Sequence, residues 1–200
     1  MQKALQHLKK DPVMRAIIER VGPYTMQFRD PTFGTLVRSI VYQQLSGKVA
    51  SVILQRLIAA MPDGELTAQN ILRLRPERMR KLGLSRAKTE YIRDLARRTA
   101  KGQLLFEGLH ELEDDAVIEH LTQVKGVGVW TAHMFLMFAL RRRDVLPVGD
   151  LGVRSAIRRA YGLEALPTPS EMEERAALWR PYCSVAAWYL WRSLEGNAQI

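Results

Sequence analysis

A turn containing two glycines lies between two helical patterns and has the composition of an anion-binding site. Gly126 and Gly128 stand two residues apart within the segment from Leu121 to Leu140. Glycine adopts backbone angles that are closed to other residues, so this turn can point consecutive N–H groups outward near the start of the second helix. A DNA phosphate would dock on such N–H groups, and the carbonyls of residues 123–128 could hold a monovalent cation, K+ or Na+. The alternative is a tight interhelical turn that binds no ligand.

The charge of the chain points to a polyanionic partner. The formal net charge is +9 and the isoelectric point is about 10.0. Ten basic and three acidic residues lie between Arg73 and Arg98, a second basic group surrounds Asp144 and Asp150, and six acidic residues without Lys or Arg lie from Leu104 to His120. Counterion release favours nucleic acid as the partner of such a chain, ahead of an anionic membrane surface. Either basic cluster by itself also fits a solvated helical face.

The elements that must position these residues have helical signatures almost throughout. We expect about ten short helices and no strand, an all-α fold, because apolar residues follow the helical period and none of the segments alternates with period two. The apolar helix from Val129 to Leu140 is most simply a core helix in which Trp130 and His133 pack. Several residues predict helix boundaries: N-caps followed by proline at Asp11-Pro12 and Asp30-Pro31, helix ends at Gly22 and Gly47, and a capping box at Thr168–Glu171.

Length and composition exclude several classes of protein. The chain has 200 residues and 47% hydrophobic residues, which is ordinary globular composition for one domain or two small lobes. The longest stretch without a formal charge is fifteen residues, whereas a bilayer span needs roughly 20 apolar residues, so we expect no membrane segment. The first residues lack the apolar core of a secretory signal, and Cys183 is the single cysteine; both favour the reducing cytoplasm, with the DNA.

Four motifs in register resemble the helix-hairpin-helix DNA glycosylase superfamily. Gln123–Ala132 is similar to its hairpin, and Leu146–Val153 is similar to the Gly/Pro-rich loop and aspartate that follow it. Ser39–Ser46 and Trp179–Arg192 are similar to segments of the 3-methyladenine DNA glycosylase II (AlkA-type) branch. The resemblance extends from about residue 30 to 193, in the family's order. It implies an enzyme of base-excision repair that flips an alkylated purine out of duplex DNA and cleaves its N-glycosidic bond.

Asp150 occupies the aspartate position of that family. A carboxylate there can stabilise positive charge that develops on the deoxyribose, or orient and deprotonate water. From the residues alone, Asp150 fits equally well as the N-cap of a helix from Leu151 to Tyr161. The resemblance favours the catalytic role, and the two roles are compatible.

The resemblance also implies an aromatic base pocket. A ring-methylated purine such as 3-methyladenine or 7-methylguanine is cationic and stacks favourably on aromatic rings. Trp130 matches one of the family's pocket positions, and Tyr24, Phe28 and Tyr42 are further candidates that could equally pack in the core. Met134 and Leu151 stand where larger relatives often carry aromatic residues. This departure predicts a roomier or less selective pocket.

The loop from Gln43 to Ser46 resembles the wedge that fills the gap left by a flipped nucleotide. Gln44 or Leu45 could intercalate, whereas Gln43 could instead cap backbone groups while Leu45 packs inward. By the same analogy, residues 1–31 and 116–200 form one lobe, with the hairpin at 124–130 and the aspartate loop at 146–153; residues 32–115 form the other, and the site lies between them. The expected DNA contacts are Gln43, Gln44, Leu45, Ser46, Lys88, Lys125, Gly126, Val127, Gly128, Val129 and Thr131.

The same residues bear on the reaction type. Bifunctional glycosylase/lyases of the superfamily carry a lysine two residues after the second hairpin glycine, where this chain has Trp130. One cysteine and unclustered histidines argue against an iron–sulfur cluster and against zinc. We therefore expect a metal-free, monofunctional N-glycosylase that acts as a monomer and needs no protein partner. A glycosylase for deaminated or oxidised bases and a non-catalytic helix-hairpin-helix DNA-binding protein are the alternatives.

Overall fold

The computed structural model describes residues 1–195, and in this range it contains α-helices, two short 3-10 turns and no strand. The all-α prediction is confirmed, and residues 1–195 contain twelve short helices where about ten were expected. They are α1 Gln2–Leu8, α2 Pro12–Val21, α3 Phe33–Tyr42, α4 Gly47–Ala59, α5 Ala68–Arg73, α6 Pro76–Lys81, α7 Arg86–Ala100, α8 Asp114–Thr122, α9 Val129–Phe138, α10 Leu151–Ala160, α11 Pro169–Ala176 and α12 Cys183–Glu195. None of these helices is long and apolar enough to cross a bilayer.

The chain divides into two compact units. The terminal unit comprises residues 1–28 and 141–200, and the middle unit comprises residues 29–140. In the terminal unit α12 packs against α2 and α10; in the middle unit α3 packs against α4, α7 and α9, and α8 packs against α9. This division differs from the sequence-based one, which grouped residues 116–140 with the termini. The difference arises because α9 buries its apolar side chains against α3, which belongs to the middle of the chain.

Several predicted helix boundaries are confirmed. The Asp11 carboxylate accepts hydrogen bonds from the Val13 and Met14 N–H groups at the start of α2. Gly22 ends α2 with φ of 84°, in a region of backbone space that glycine adopts without strain. Thr168 and Glu171 form the complete capping box of α11.

Two boundary predictions are wrong. Helix α3 begins at Phe33 rather than after Asp30-Pro31, because Thr32 is its N-cap and accepts a hydrogen bond from the Thr35 N–H. Gly47 does not end a helix; it is the first residue of α4, and Ser46 is the N-cap. In both places a hydroxyl side chain one residue before the helix supplies the cap.

Asp11 also ties the terminal unit together. Its carboxylate is 6% exposed, and beyond its capping role it accepts hydrogen bonds from the Trp179 indole at 3.1 Å and from the Tyr161 hydroxyl. Burial raises the pKa of Tyr161 well above its usual value, and the hydrogen bond to the Asp11 carboxylate raises it further. The start of α2 is therefore fixed to the end of α10, the helix that Asp150 begins.

Candidate functional site

The structure explains the glycines at the two hairpin positions in different ways. Gly126 has φ of +79°, and a Cβ atom built on it would lie 2.2 Å from the Tyr91 ring, so only glycine fits there. Gly128 has φ of −96° and ψ of 176°, which other residues also adopt, and a Cβ there meets nothing within 4 Å. The expectation that both glycines use restricted angles is therefore wrong for Gly128. Because Gly128 has no side chain, it leaves the backbone uncovered at the start of α9, where the first N–H groups have no intrahelical acceptor.

The hairpin is attached to α7 through Lys125. The Lys125 N–H donates to Asp94 Oδ2 at 3.0 Å, and its Nζ donates to Glu90 Oε2 at 3.1 Å. Burial of Asp94 opposes ionisation, but hydrogen bonds from the Lys125 N–H and from Arg98 hold its pKa below 3.8. The exposed ion pair with Glu90 can open toward an incoming phosphate, because such pairs contribute little stability.

The predicted wedge loop is held by polar contacts from two sides. Gln43 Nε2 donates to the Gly126 carbonyl at 3.0 Å and to the Thr131 hydroxyl at 3.2 Å. Lys88 Nζ donates to the carbonyls of Val41 and Gln43 at 2.7 and 2.6 Å, and burial lowers its pKa. Gln43 therefore has the capping role, and Lys88 supports the loop from within, while its predicted contact with DNA stays a prediction.

The outer part of this loop is exposed. Gln44 adopts a left-handed conformation with φ of 54°, and the side chain of Leu45 is 38% exposed. Leu45 does not pack inward, so both residues keep the predicted wedge role. Ser46 uses its hydroxyl to cap α4.

Two of the predicted DNA contacts are buried. Val127 is 4% exposed and Thr131 is 2% exposed. The Val127 N–H donates to the Val124 carbonyl within the turn, and the Thr131 hydroxyl accepts from Gln43. Their side chains stabilise the hairpin, whereas Val129, with an exposed fraction of 52%, faces solvent.

Asp150, like Asp11, is a buried carboxylate of the terminal unit. It is the N-cap of α10, is 8% exposed, and its Oδ1 accepts from the Val153 N–H at 2.8 Å. The same oxygen accepts from the Trp191 indole N–H at 2.7 Å. The predicted N-cap role is confirmed, and the second donor fixes the orientation of the carboxylate.

Gly152 makes the contact between Trp191 and Asp150 sterically feasible. A Cβ atom on Gly152 would lie 3.0 Å from Trp191 Cδ1 and 3.1 Å from both Asp150 Oδ1 and Trp191 Nε1. Few real Cβ atoms have neighbours this close, so any larger residue would push the indole away from the carboxylate. At this helical position glycine avoids the crowding by its small size, and its φ is not positive.

The middle unit contains an aromatic cavity of about 230 Å³. Three of the predicted pocket residues, Trp130, Tyr42 and Met134, line it. Trp130 is 40% exposed, so the interpretation of this side chain as a core residue is wrong. The remaining residues that line the cavity are Arg29, Thr35, Arg38, Ser39, Thr131, Phe135 and Phe138.

The other three predicted pocket residues belong to the terminal unit. Tyr24 packs edge-on against Trp188, with ring centres 4.7 Å apart, and burial raises the pKa of its hydroxyl to about 12. Phe28 is 42% exposed, with the Arg141 guanidinium 5.4 Å from its ring centre. Leu151 is 64% exposed. The roles of these residues in a base pocket, and the placement of a site between two lobes, stay predictions.

Sequence reasoning missed several residues that shape the site. Trp191 lies within one of the motifs that resemble the family. It is 41 residues from Asp150 in the sequence, and no local pattern indicates that the two residues are in contact. Tyr91 and Gly152 matter through close packing, which has no local sequence signal. Arg29 and Arg38 could have been proposed for the pocket, since Arg38 stands one turn before Tyr42 on α3.

The described residues contain no cluster of three or more His, Cys, Asp or Glu side chains that could hold a metal ion. The hairpin instead offers neutral carbonyl oxygens, three of which already accept hydrogen bonds: Val124 from the Val127 N–H, Gly126 from Gln43 and Gly128 from the Ala132 N–H. Neutral oxygen ligands suit K+ or Na+ better than a transition metal.

Comparison with known proteins places the chain in a family. Residues 37–181 match the model described as HhH-GPD superfamily base excision DNA repair protein. DNA-3-methyladenine glycosylase 1 of Schizosaccharomyces pombe is 32% identical over 96% of this chain and 87% of its own length.

Two solved structures agree in fold over nearly the whole chain. The 3-methyladenine DNA glycosylase of S. pombe in complex with abasic DNA superposes with a TM-score of 0.86 at 33% identity, over 95% of each chain. A DNA-3-methyladenine glycosidase of Bacillus halodurans superposes with a TM-score of 0.82 at 36% identity, over 94% of this chain and 86% of that one. Since the family model covers well over half of the residues, the chain belongs to the HhH-GPD superfamily of base excision DNA repair proteins.

Proposed function

We propose that the protein hydrolyses the N-glycosidic bond of alkylated purines in duplex DNA, among them 3-methyladenine and 7-methylguanine, and leaves an abasic site. Relatives named for 3-methyladenine excision share about a third of its residues over almost its whole length. The family membership supports base excision, and the names of these relatives support alkylated bases as the substrates.

The contact between Asp150 and Trp191 carries this proposal. A carboxylate that only capped α10 would need the hydrogen bond from the Val153 N–H and nothing more. Here a second donor, the Trp191 indole, binds the same oxygen at 2.7 Å, which holds the carboxylate in one orientation. A buried, oriented carboxylate can stabilise the positive charge of an oxocarbenium-like deoxyribose, or position and deprotonate the attacking water.

The aromatic cavity supplies surfaces on which a flipped base can stack. Trp130 and Tyr42 line it, and base–aromatic stacking contributes about 1–3 kcal/mol per base. Flipping requires the duplex to be opened, for which the exposed Gln44 and Leu45 are suitable wedge residues. The uncovered backbone around Gly128 offers N–H groups to a phosphate of the same strand.

We expect hydrolysis without strand cleavage. A lyase needs an amine that attacks the sugar, and the hairpin position that would carry the family's lysine is Trp130. The ammonium group of the nearby Lys125 donates a hydrogen bond to Glu90. Borohydride trapping should therefore give no covalent protein–DNA product, and such a product would show lyase chemistry.

A monovalent cation at the carbonyls of residues 123–128 is part of the proposal. When bound, it would add positive charge beside a DNA phosphate. Thermal unfolding in K+ or Na+ should then occur at a higher temperature than in tetramethylammonium at equal ionic strength, and equal unfolding temperatures would argue against the site. We further expect the enzyme to work in the cytoplasm as a monomer without a protein partner. Sedimentation with and without DNA tests the monomeric state.

The central experiment measures release of free bases from methylated duplex DNA. Chromatography separates 3-methyladenine from 7-methylguanine, and wild type is compared with Asp150→Asn and with Asp115→Asn, an exposed aspartate of α8. We expect release by wild type and Asp115→Asn, and near-complete loss in Asp150→Asn with DNA binding retained. Binding without release by wild type would contradict the proposal; duplexes with deaminated or oxidised bases would then separate another glycosylase from a non-catalytic DNA-binding protein.

A further inference from the structure

Two arginines share the aromatic cavity of the middle unit. Arg29 and Arg38 both line it together with Trp130 and Tyr42. The guanidinium carbon of Arg38 lies 3.9 Å from the centre of the Tyr42 ring, so one face of this aromatic wall already carries a cation. A pocket that attracted cationic bases by cation–π contact would keep that face available.

The two positive charges are not neutralised locally. None of the residues that line this cavity is acidic. Within residues 1–195, neither guanidinium forms an ion pair with a carboxylate. Burial lowers the pKa of Arg29, and the positive charge of Arg38 lowers it further. Arginine nevertheless stays protonated at neutral pH.

This charge acts differently on the two classes of damaged purine. Methylation of a ring nitrogen, as in 7-methylguanine, makes the base a cation, whereas cyclic adducts such as ethenoadenine are neutral. A cation placed near a guanidinium is repelled, and at a partly buried site the repulsion is stronger than in water. A neutral base stacks on Trp130 without this penalty and can accept hydrogen bonds from the guanidinium N–H groups.

We propose that Arg38, assisted by Arg29, determines the specificity of this pocket by selecting neutral alkylated bases over cationic ones. The inference rests on the proposed function. Cationic methylpurines are still released, because their positive charge makes them good leaving groups, but the protein adds less to their excision than to that of neutral adducts. Arg38 is thus a specificity residue of the base-binding step.

The test compares two duplexes that differ only in a central ethenoadenine or 7-methylguanine. Single-turnover rates of base release are measured for wild type, Arg38→Gln, Arg38→Lys and Arg78→Gln. Arg78 lies on the exposed surface of α6 and does not line the cavity, so Arg78→Gln removes one positive charge elsewhere. The ratio of the two rates is compared between each variant and wild type, because this comparison cancels the different intrinsic labilities of the two bases.

We expect Arg38→Gln to raise the 7-methylguanine to ethenoadenine rate ratio on the order of tenfold, the effect of about 1.4 kcal/mol. Arg38→Lys should stay within about twofold of wild type because it keeps a positive charge at residue 38, and Arg78→Gln should do so because it leaves both arginines of the pocket in place. An unchanged ratio in Arg38→Gln would overturn the inference. Equal losses on both duplexes would do so as well, because they would assign Arg38 to a phosphate or to the fold.

Equilibrium affinities for the same duplexes separate this inference from the proposed function. If wild type released neither base, the proposed function would fail, yet the ratio of the two dissociation constants would still report on Arg38. A shift of that ratio by Arg38→Gln, toward tighter binding of the 7-methylguanine duplex, supports charge selection in the pocket. The absence of a shift contradicts it.

Discussion

Trp191 and Asp150, on different helices of the terminal unit, are joined by a hydrogen bond from the indole N–H to Oδ1, 2.7 Å long. The same oxygen also caps α10 by accepting from the Val153 N–H at 2.8 Å. Two donors on one oxygen restrict the rotation of the carboxylate about its side-chain bonds. The orientation of the proposed catalytic group is thereby fixed by both the start of α10 and the face of α12.

Replacing Trp191 with phenylalanine should slow base release while preserving the fold. The substitution keeps a ring in place but removes the donor to Asp150, and hydrogen bonds to charged groups contribute about 1.5–3 kcal/mol. We expect the single-turnover rate to fall roughly tenfold or more. Trp188→Phe is the matched control, since Trp188 packs against Tyr24 and Tyr189. Equal rates in Trp191→Phe and wild type would show that the indole does not position the carboxylate.

Gly152→Ala should lower activity through the same contact. Alanine favours a helix over glycine by about 1 kcal/mol, so the helix itself gains stability. The added Cβ would stand 3.0 Å from Trp191 and push the indole away from Asp150. We expect slower base release with little change in the unfolding temperature. Gly34→Ala in α3 is the control, because a Cβ there makes only ordinary contacts of 3.7 Å or more; similar activities of the two variants would contradict the steric argument.

The two hairpin glycines should respond differently to alanine. Gly126→Ala forces a left-handed residue and a Cβ into the Tyr91 ring, and overpacking of this kind costs about 1–3 kcal/mol. Gly128→Ala introduces no steric conflict, and its backbone angles suit alanine. Urea unfolding should show clear destabilisation for Gly126→Ala and less than about 0.5 kcal/mol for Gly128→Ala. Comparable destabilisation by both would indicate a different turn.

Acid should loosen the attachment of the hairpin to α7 through Asp94. The folded-state pKa of Asp94 is lower than the 3.8 of an unperturbed aspartate. Its ionised form therefore stabilises the fold above the unfolded pKa, and this stabilisation is lost as the pH falls through the folded value. Unfolding free energies measured from about pH 5 to pH 2.5 should fall more steeply for wild type than for Asp94→Asn. Parallel profiles would mean that this carboxylate gains nothing from its contacts with Lys125 and Arg98.

The sequence by itself determined the helical class, several caps and the identity of the proposed catalytic carboxylate. These features depend on local chemistry: Asp11 and Thr168 cap their helices with their own side chains, and Asp150 does the same for α10. The motifs around Gly126 and Asp150 also sufficed to indicate the family. Two local signals had close competitors. Thr32 rather than Asp30 caps α3, and Ser46 caps α4, so that Gly47 begins a helix instead of ending one.

Only the tertiary structure decided which residues surround those motifs. It brings Trp191 to Asp150, packs Tyr91 on Gly126 and places Arg38 in the aromatic cavity. These residues are distant in sequence or have no periodic pattern. The tertiary structure also showed that Lys88 and Thr131, two of the expected DNA contacts, form hydrogen bonds within the protein. The physical reason is that caps and turns depend on a few neighbouring residues, whereas orientation, burial and charge within a pocket depend on how whole helices pack.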